Sequence, residues 1–236
     1  MYRSLNPDKI ISTIEILGRR IEERFPSSGL REVCNGLYDI AGKAKKRSAW
    51  IARPNYVLRL CIAVIIVLSM AGFYYSLSLA DISLNITDAG QIVQITEAGL
   101  NNVVLIGAAL FFLVTLETRI KRTRALEALH ELRTIAHVID MHQLTKDPGK
   151  LPGTAVSTPS SPKRTMNAFE LTRYLDYCSE MLSLSGKVAA LYAQDFKDHV
   201  VLTSVNELET LTTGLSRKIW QKIMILYRLD DSNLTV

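Results

Sequence analysis

Three of the four histidines lie on one stretch of sequence, at His130, His137 and His142. If this stretch is helical, His130 and His137 share a face with Glu127 and Asp140. Imidazole and carboxylate groups are ligands for zinc and other divalent ions, and a histidine of ordinary pKa titrates near physiological pH. These residue types are compatible with a metal site, with a pH-sensitive patch, or simply with the polar surface of a helical bundle.

The spacing of the histidines argues against a metal site formed by this helix alone. The string HELRTIAH begins like the metalloprotease motif HExxH, but its second histidine follows seven residues after the first instead of four. Two histidines two turns apart stand ~10 Å apart along the axis and cannot share one ion without a distorted helix or a second chain. His130, His137 and Asp140 stay weak metal candidates, and we predict neither a resident metal nor a cofactor.

No other set of residues has the spacing of a catalytic or nucleotide-binding motif. The sequence contains no GxxxxGK[ST], no GxGxxG and no GxSxG. The stretch TTGLSRK at 212–218 superficially suggests phosphate binding, but its apolar residues keep a helical period, which favours a buried helix with one glycine. We therefore expect a protein without enzymatic activity.

Basic residues are concentrated in two short segments, although the net charge of the chain is only +5. Six lie in residues 43–59, without any acidic residue, and four more lie in residues 119–124. Because no nucleic-acid-binding motif accompanies them, they favour contact with anionic lipid headgroups over binding to nucleic acid. The ten residues are Lys43, Lys45, Lys46, Arg47, Arg53, Arg59, Arg119, Lys121, Arg122 and Arg124.

These basic segments flank two apolar runs, at residues 60–80 and 98–116. Each run is about twenty residues long without a charged side chain, and a helix of that length spans roughly the 30 Å hydrocarbon core of a bilayer. The connection at 81–97 contains three acidic residues and no Lys or Arg. By the positive-inside bias, we predict two transmembrane helices with both termini in the cytoplasm and an acidic loop outside.

Small residues on both predicted spans allow another helix to approach closely. Gly72 and Ser76 are four residues apart on the first span, and Gly107 and Ala108 lie on the second. Packing between the two spans accounts for them, and contacts between copies of the chain or a pore seam are the alternatives.

The rest of the sequence predicts an all-α fold, in which the transmembrane hairpin carries a cytoplasmic bundle of about five helices. Asn6 and Asp198 are predicted helix caps, and a seven-residue apolar repeat over 125–143 predicts a bundle seam. A Pro- and Ser-rich linker separates this seam from a C-terminal helix pair. The predicted segments are 1–55, 56–80, 81–97, 98–116, 117–146, 147–165, 166–228 and 229–236.

Outside the predicted spans, Trp220, which lies close to Arg217 and Lys218, is the strongest candidate for a contact with another surface. The indole is compatible with the core, with a cation–π contact between helices, or with contact to a membrane surface.

The stretches AHVIDMHQLTKDP before the linker and TTGLSRKIWQKI near the end resemble sequences of uncharacterised bacterial proteins with two transmembrane helices. The resemblance covers most of the chain, implies the bacterial inner membrane and brings no assigned activity. We therefore expect a non-enzymatic membrane anchor, a scaffold or regulator that acts through its bundle by self-association or by binding a protein partner. A pore-forming or membrane-perturbing effector gated by the bundle is the alternative.

Overall fold

The fold is all-helical over the residues that a computed structural model describes, which are 4–79, 89–146, 148, 159 and 166–234. This confirms the all-α prediction, and no strand occurs in these ranges. By its contacts the chain divides into two units, residues 1–52 with 124–236 and residues 53–123. The helices of the described part are α1 (Pro7–Arg24), α2 (Leu30–Ala52), α3 (Tyr56–Leu79), α4 (Ala89–Leu144), α5 (Ala168–Gln194) and α6 (His199–Leu234).

Helix α1 begins where the sequence predicts. The Asn6 side chain accepts hydrogen bonds from the backbone N–H groups of Asp8 and Lys9, and Pro7 occupies the first turn, where its missing N–H costs nothing. The apolar residues of α1 at three- and four-residue spacing form one buried stripe. Its members are Ile10, Ile14, Leu17 and Ile21.

The larger unit has one apolar core, to which α1, α2, the last part of α4, α5 and α6 all contribute. Helix α5 packs against α1, α2 and α6, and α1 packs against α2. The predicted seam of α4 is confirmed, because every member of its repeat is buried. These residues are Ala125, Leu129, Leu132, Ala136, Ile139 and Gln143.

Both C-terminal helices have side-chain caps. A reciprocal capping box joins Asn167 and Glu170 at the start of α5, where each side chain accepts from the other residue's backbone N–H. The Asp198 carboxylate accepts from the backbone N–H groups of Val200 and Val201, so the predicted cap of α6 is confirmed.

The smaller unit consists of α3 and the first part of α4. Two helices of the chain are long and apolar enough to cross a membrane, and none of their apolar windows is buried. Large side chains such as Leu60, Val67, Val103 and Phe111 are between 64% and 73% exposed.

The helix boundaries differ from the predicted ones at two places. Helix α4 begins at Ala89, so part of the predicted loop 81–97 is helical, because this segment holds one glycine and no proline to stop a helix. Helix α6 continues to Leu234, into the predicted tail at 229–236, which contains neither glycine nor proline. Residues 80–88 and most of the predicted linker 147–165 lie outside the described residues.

Candidate functional site

The histidine-bearing part of α4 does not gather its side chains around an ion. His130 and His137 are both exposed, and the residues that the structure describes hold no group of three or more His, Cys, Asp or Glu side chains suited to a metal. Asp140 Oδ1 accepts a hydrogen bond from Gln143 Nε2 at 2.6 Å. The structure thus does not bring the weak metal candidates together.

Tertiary contacts pair four of the ten predicted lipid-facing cations with carboxylates outside their own clusters. Ion pairs at the surface contribute little to stability, but they offset part of the charge available to lipids. Sequence position alone does not show them, because most partners come from other helices. The pairs are Lys45 with Asp8, Arg47 with Glu131, and both Arg59 and Lys121 with Glu117.

The other basic residues differ in their surroundings. Arg124 stacks on the ring of Trp50, and Arg122 is partly buried. The remaining four are exposed, as is Arg124. These four are Lys43, Lys46, Arg53 and Arg119.

The Glu117 carboxylate has three partners within the described part of the smaller unit. Its Oε1 accepts from the backbone N–H of Asn55 at 3.0 Å and lies 2.8 Å from Lys121 Nζ, while its Oε2 lies 3.5 Å from Arg59 Nε. Lys121 Nζ also donates to the carbonyl of Arg53 at 2.7 Å. The hydrogen bond from Lys121, helped by Asn55 and Arg59, holds the pKa of Glu117 below its ordinary value although burial acts in the opposite direction.

This cluster fixes the start of α3 beside the point where α4 leaves its apolar stretch. The side chains of Glu117 and Lys121 are only 16% and 10% exposed, so water screens their attraction weakly. Sequence reasoning missed the cluster. The available signal was a single carboxylate next to a basic segment, four residues before a lysine on the same helix.

Helix α6 carries an exposed apolar stripe, formed by Trp220, Met224 and Tyr227 and termed the α6 stripe below. Their exposed fractions are 56%, 48% and 55%. The spacing of four and then three residues places them on one side of the helix. Exposed Arg217 and Lys218 lie at its N-terminal end.

Trp220 is therefore not a core residue, which removes one of the three interpretations of this position. Sequence reasoning also missed the contribution of Met224 and Tyr227. Each directly follows a buried residue, Ile223 and Leu226 respectively, so both continue the apolar pattern beyond the buried face of the helix.

The small residues of the spans do not mark a close helix contact. A Cβ atom built on Gly72 or on Gly107 meets no atom within 4 Å, and Ala108 is exposed. Ser76 lies in α3, but its side chain is outside the described part of the chain. The predicted packing of the two spans through these residues is thus not seen at either glycine.

No protein-family model, no curated protein and no solved structure matches this chain.

Proposed function

We propose that this protein is a non-enzymatic membrane anchor whose helical bundle acts as a scaffold or regulator. In this proposal α3 and α4 form a two-span hairpin in the bacterial inner membrane, and both termini and the bundle lie in the cytoplasm. The basic segments on both sides of the spans bind anionic lipids. Charge asymmetry supports the orientation, since the connection between the spans has no Lys or Arg.

The exposed apolar surface of the smaller unit supports membrane insertion. Moving a Leu, Val or Phe side chain from water into apolar surroundings gains roughly 1.5–3 kcal/mol. The smaller unit presents many such side chains, including Leu60, Val67 and Phe111, and no described residue buries them. The contacts of Glu117 with Asn55 and Arg59 support a hairpin, because they hold the start of α3 beside the end of the second apolar run.

The α6 stripe is the observation that supports binding to a protein partner or to a second copy of the chain. Large apolar side chains at helical spacing are the pattern with which a helix binds a groove or another helix, and aromatic residues and Met are enriched at such interfaces. Arg217 and Lys218 supply a polar rim beside Trp220. A second copy of the chain or a protein partner that covers the stripe would remove this surface from water.

The test is the mass of the full chain purified in a mild detergent, measured by light scattering with correction for bound detergent. We expect a complex larger than the 26.4 kDa monomer, or a stoichiometric co-purified partner. Substituting the stripe with Trp220→Ser, Met224→Ser and Tyr227→Ser should release the monomer. The control Val200→Ser with Leu202→Ser, two other exposed apolar residues of α6, should leave the complex intact. A strictly monomeric wild type without a partner contradicts the proposal.

A pore-forming effector is the second candidate, and the open surroundings of Gly72 and Gly107 favour it. Such positions accept helices from other copies of the chain. Dye-loaded liposomes should then leak as the protein density rises. Liposomes that stay tight at every density, with and without cytosolic extract, contradict this role. The absence of charged residues in both apolar runs already argues against an aqueous pore.

A further inference from the structure

The larger unit contains a small cleft where α2 ends and α4 enters the unit. Its volume is about 320 Å³, at the lower end of the range of small-molecule sites. Three of its six lining residues are cations, one is a carboxylate and one is an aromatic residue. The lining consists of Lys46, Arg47, Trp50, Ile51, Arg124 and Glu127.

An arginine–tryptophan stack forms one wall of this cleft. Arg124 Cζ lies over the Trp50 ring, 4.2 Å from its centroid, which is a close cation–π contact. A guanidinium carries five N–H donors in a planar fork, and that fork matches the oxygens of a phosphate. In the described part of the chain no ion pair joins Arg124 to a carboxylate, and Glu127 is the one carboxylate that lines the cleft.

The other residues of the cleft complete a site for an anion. Lys46 is exposed and contributes a second mobile cation, while Arg47 is held by Glu131 at 2.9 Å. Ile51, only 2% exposed, gives the cleft an apolar part. Glu127 is the single carboxylate of the lining, so the three cations outnumber it.

If the proposed second span ends at Leu116, Arg124 lies close to the headgroup layer. Arg124 follows the predicted span end, Leu116, by eight residues, which is about 12 Å of helix. Side chains on a helix lean toward its N-terminus, and for α4 that direction is toward the span. The polar layer of a bilayer extends roughly 5–7 Å beyond the hydrocarbon core, so a long arginine side chain can reach it.

We propose that this cleft binds the phosphate of an anionic glycerophospholipid headgroup. Arg124 and Lys46 donate to the phosphate oxygens, and Trp50 and Ile51 lie against the glycerol part. The inference rests on the membrane location given under Proposed function. It replaces a general attraction of basic residues to lipid with one defined site.

The test uses the full chain in nanodiscs of phosphatidylcholine with a rising fraction of phosphatidylglycerol. Binding is followed by the fluorescence of Trp50 in a Trp220→Phe background and by retained lipid in native mass spectrometry. The double variant Lys46→Gln with Arg124→Gln should bind phosphatidylglycerol about 30-fold more weakly, from roughly fivefold per basic residue near the surface. Glu127→Gln should bind it more tightly, because it removes the opposing charge.

A matched control separates the cleft from general charge. Arg19→Gln with Lys187→Gln removes the same formal charge from two exposed residues outside the cleft and should leave binding unchanged. Equal losses in both double variants, with unchanged circular dichroism, overturn the proposal. The proposal is also overturned if glycerol 3-phosphate shifts the fluorescence of Trp50 as strongly as the lipid does. That result would identify the cleft as a site for soluble phosphates.

Carbonate washing of membranes that contain the wild type separates this inference from the proposed function. A protein that washes off contradicts the membrane anchor itself. A protein that resists carbonate but binds phosphatidylglycerol independently of Lys46 and Arg124 contradicts only the lipid site.

Discussion

At the scale of single residues, the most informative side chains are those whose surroundings change their charge or reactivity. Glu117 accepts hydrogen bonds from a buried lysine and from a backbone N–H. Cys34 and Cys178 are enclosed in the apolar core. Their titration is therefore set by contacts that only the folded chain supplies.

We expect Glu117→Gln to lower the midpoint of thermal unfolding in detergent by roughly 4–8 °C. The neutral amide leaves the ammonium group of Lys121 without a charged partner, which costs about 2 kcal/mol, and each kcal/mol shifts the midpoint of a chain of this size by roughly 2–4 °C. Glu207→Gln, which removes an exposed partner of Arg133, should shift the midpoint little. The same shift in both variants would show that the contacts of Glu117 stabilise the fold no more than an exposed ion pair does.

The stability that Glu117 provides should also depend on pH. Since folding lowers its pKa, the contribution is fully present above the unfolded value, about 4.3, and is lost as the pH falls through the lower folded value. The wild type should therefore lose more stability than Glu117→Gln between about pH 5 and pH 3. Parallel declines in the two proteins would rule this out.

Cys34 and Cys178 should resist alkylation by iodoacetamide at pH 8 until the protein unfolds. Burial raises the pKa of the Cys34 thiol to about 11 and that of Cys178 to about 12, so the reactive thiolate is scarce, and the core also blocks access. Intact-mass spectrometry of the native and the denatured protein distinguishes the two states. Rapid modification of both thiols in the native protein would show that the larger unit opens readily.

At the scale of elements, α4 is the central helix because it belongs to both units. Its seam is buried from Ala125 to Gln143, and its earlier part holds the second apolar run. In the proposed arrangement, this one continuous helix connects the membrane span to the bundle.

Leu132→Ala should lower the midpoint of thermal unfolding by roughly 6–12 °C. Leu132 is fully buried in the seam, and truncation of such a leucine leaves a cavity that costs about 3 kcal/mol. Met141→Ala is the matched control on the same helix, because Met141 is 66% exposed. If both variants melt like the wild type, α4 does not contribute to the core.

The sequence alone was sufficient to predict those features of the helices that depend on neighbouring residues. The cap at Asn6 and the seam of α4 follow from the chemistry of helix ends and from spacing, and both are confirmed. The start of α4 at Ala89 was not predicted, because residues 81–97 were assigned to the loop between the spans from their acidic, Lys- and Arg-free composition.

The contacts that sequence reasoning missed depend on which surfaces meet in three dimensions. Lys45 with Asp8 and Arg47 with Glu131 join residues from different helices, so they have no local signature. The α6 stripe was hidden for another reason. Met224 and Tyr227 continue an apolar pattern that is wider than one face, and only packing decides which residues it buries.

At the scale of the whole molecule, the proposed arrangement places the apolar helices in lipid and the larger unit in the cytoplasm. The apolar sides of α3 and of the first part of α4 face lipid, while the larger unit keeps its own core and exposes the α6 stripe. The scaffold role depends first on both apolar helices crossing the membrane with the complete bundle on one side.

The most direct test is the accessibility of single cysteines in sealed spheroplasts, probed with a membrane-impermeant maleimide. Cys61→Ala removes the exposed native thiol, and the two buried ones provide the silent background. We expect Ser83→Cys, between the spans, to react from outside, and Asn206→Cys, exposed on α6, to react only after permeabilisation. Labelling of Asn206→Cys in sealed cells, or protection of Ser83→Cys until the membrane is opened, would contradict a two-span anchor with a cytoplasmic bundle.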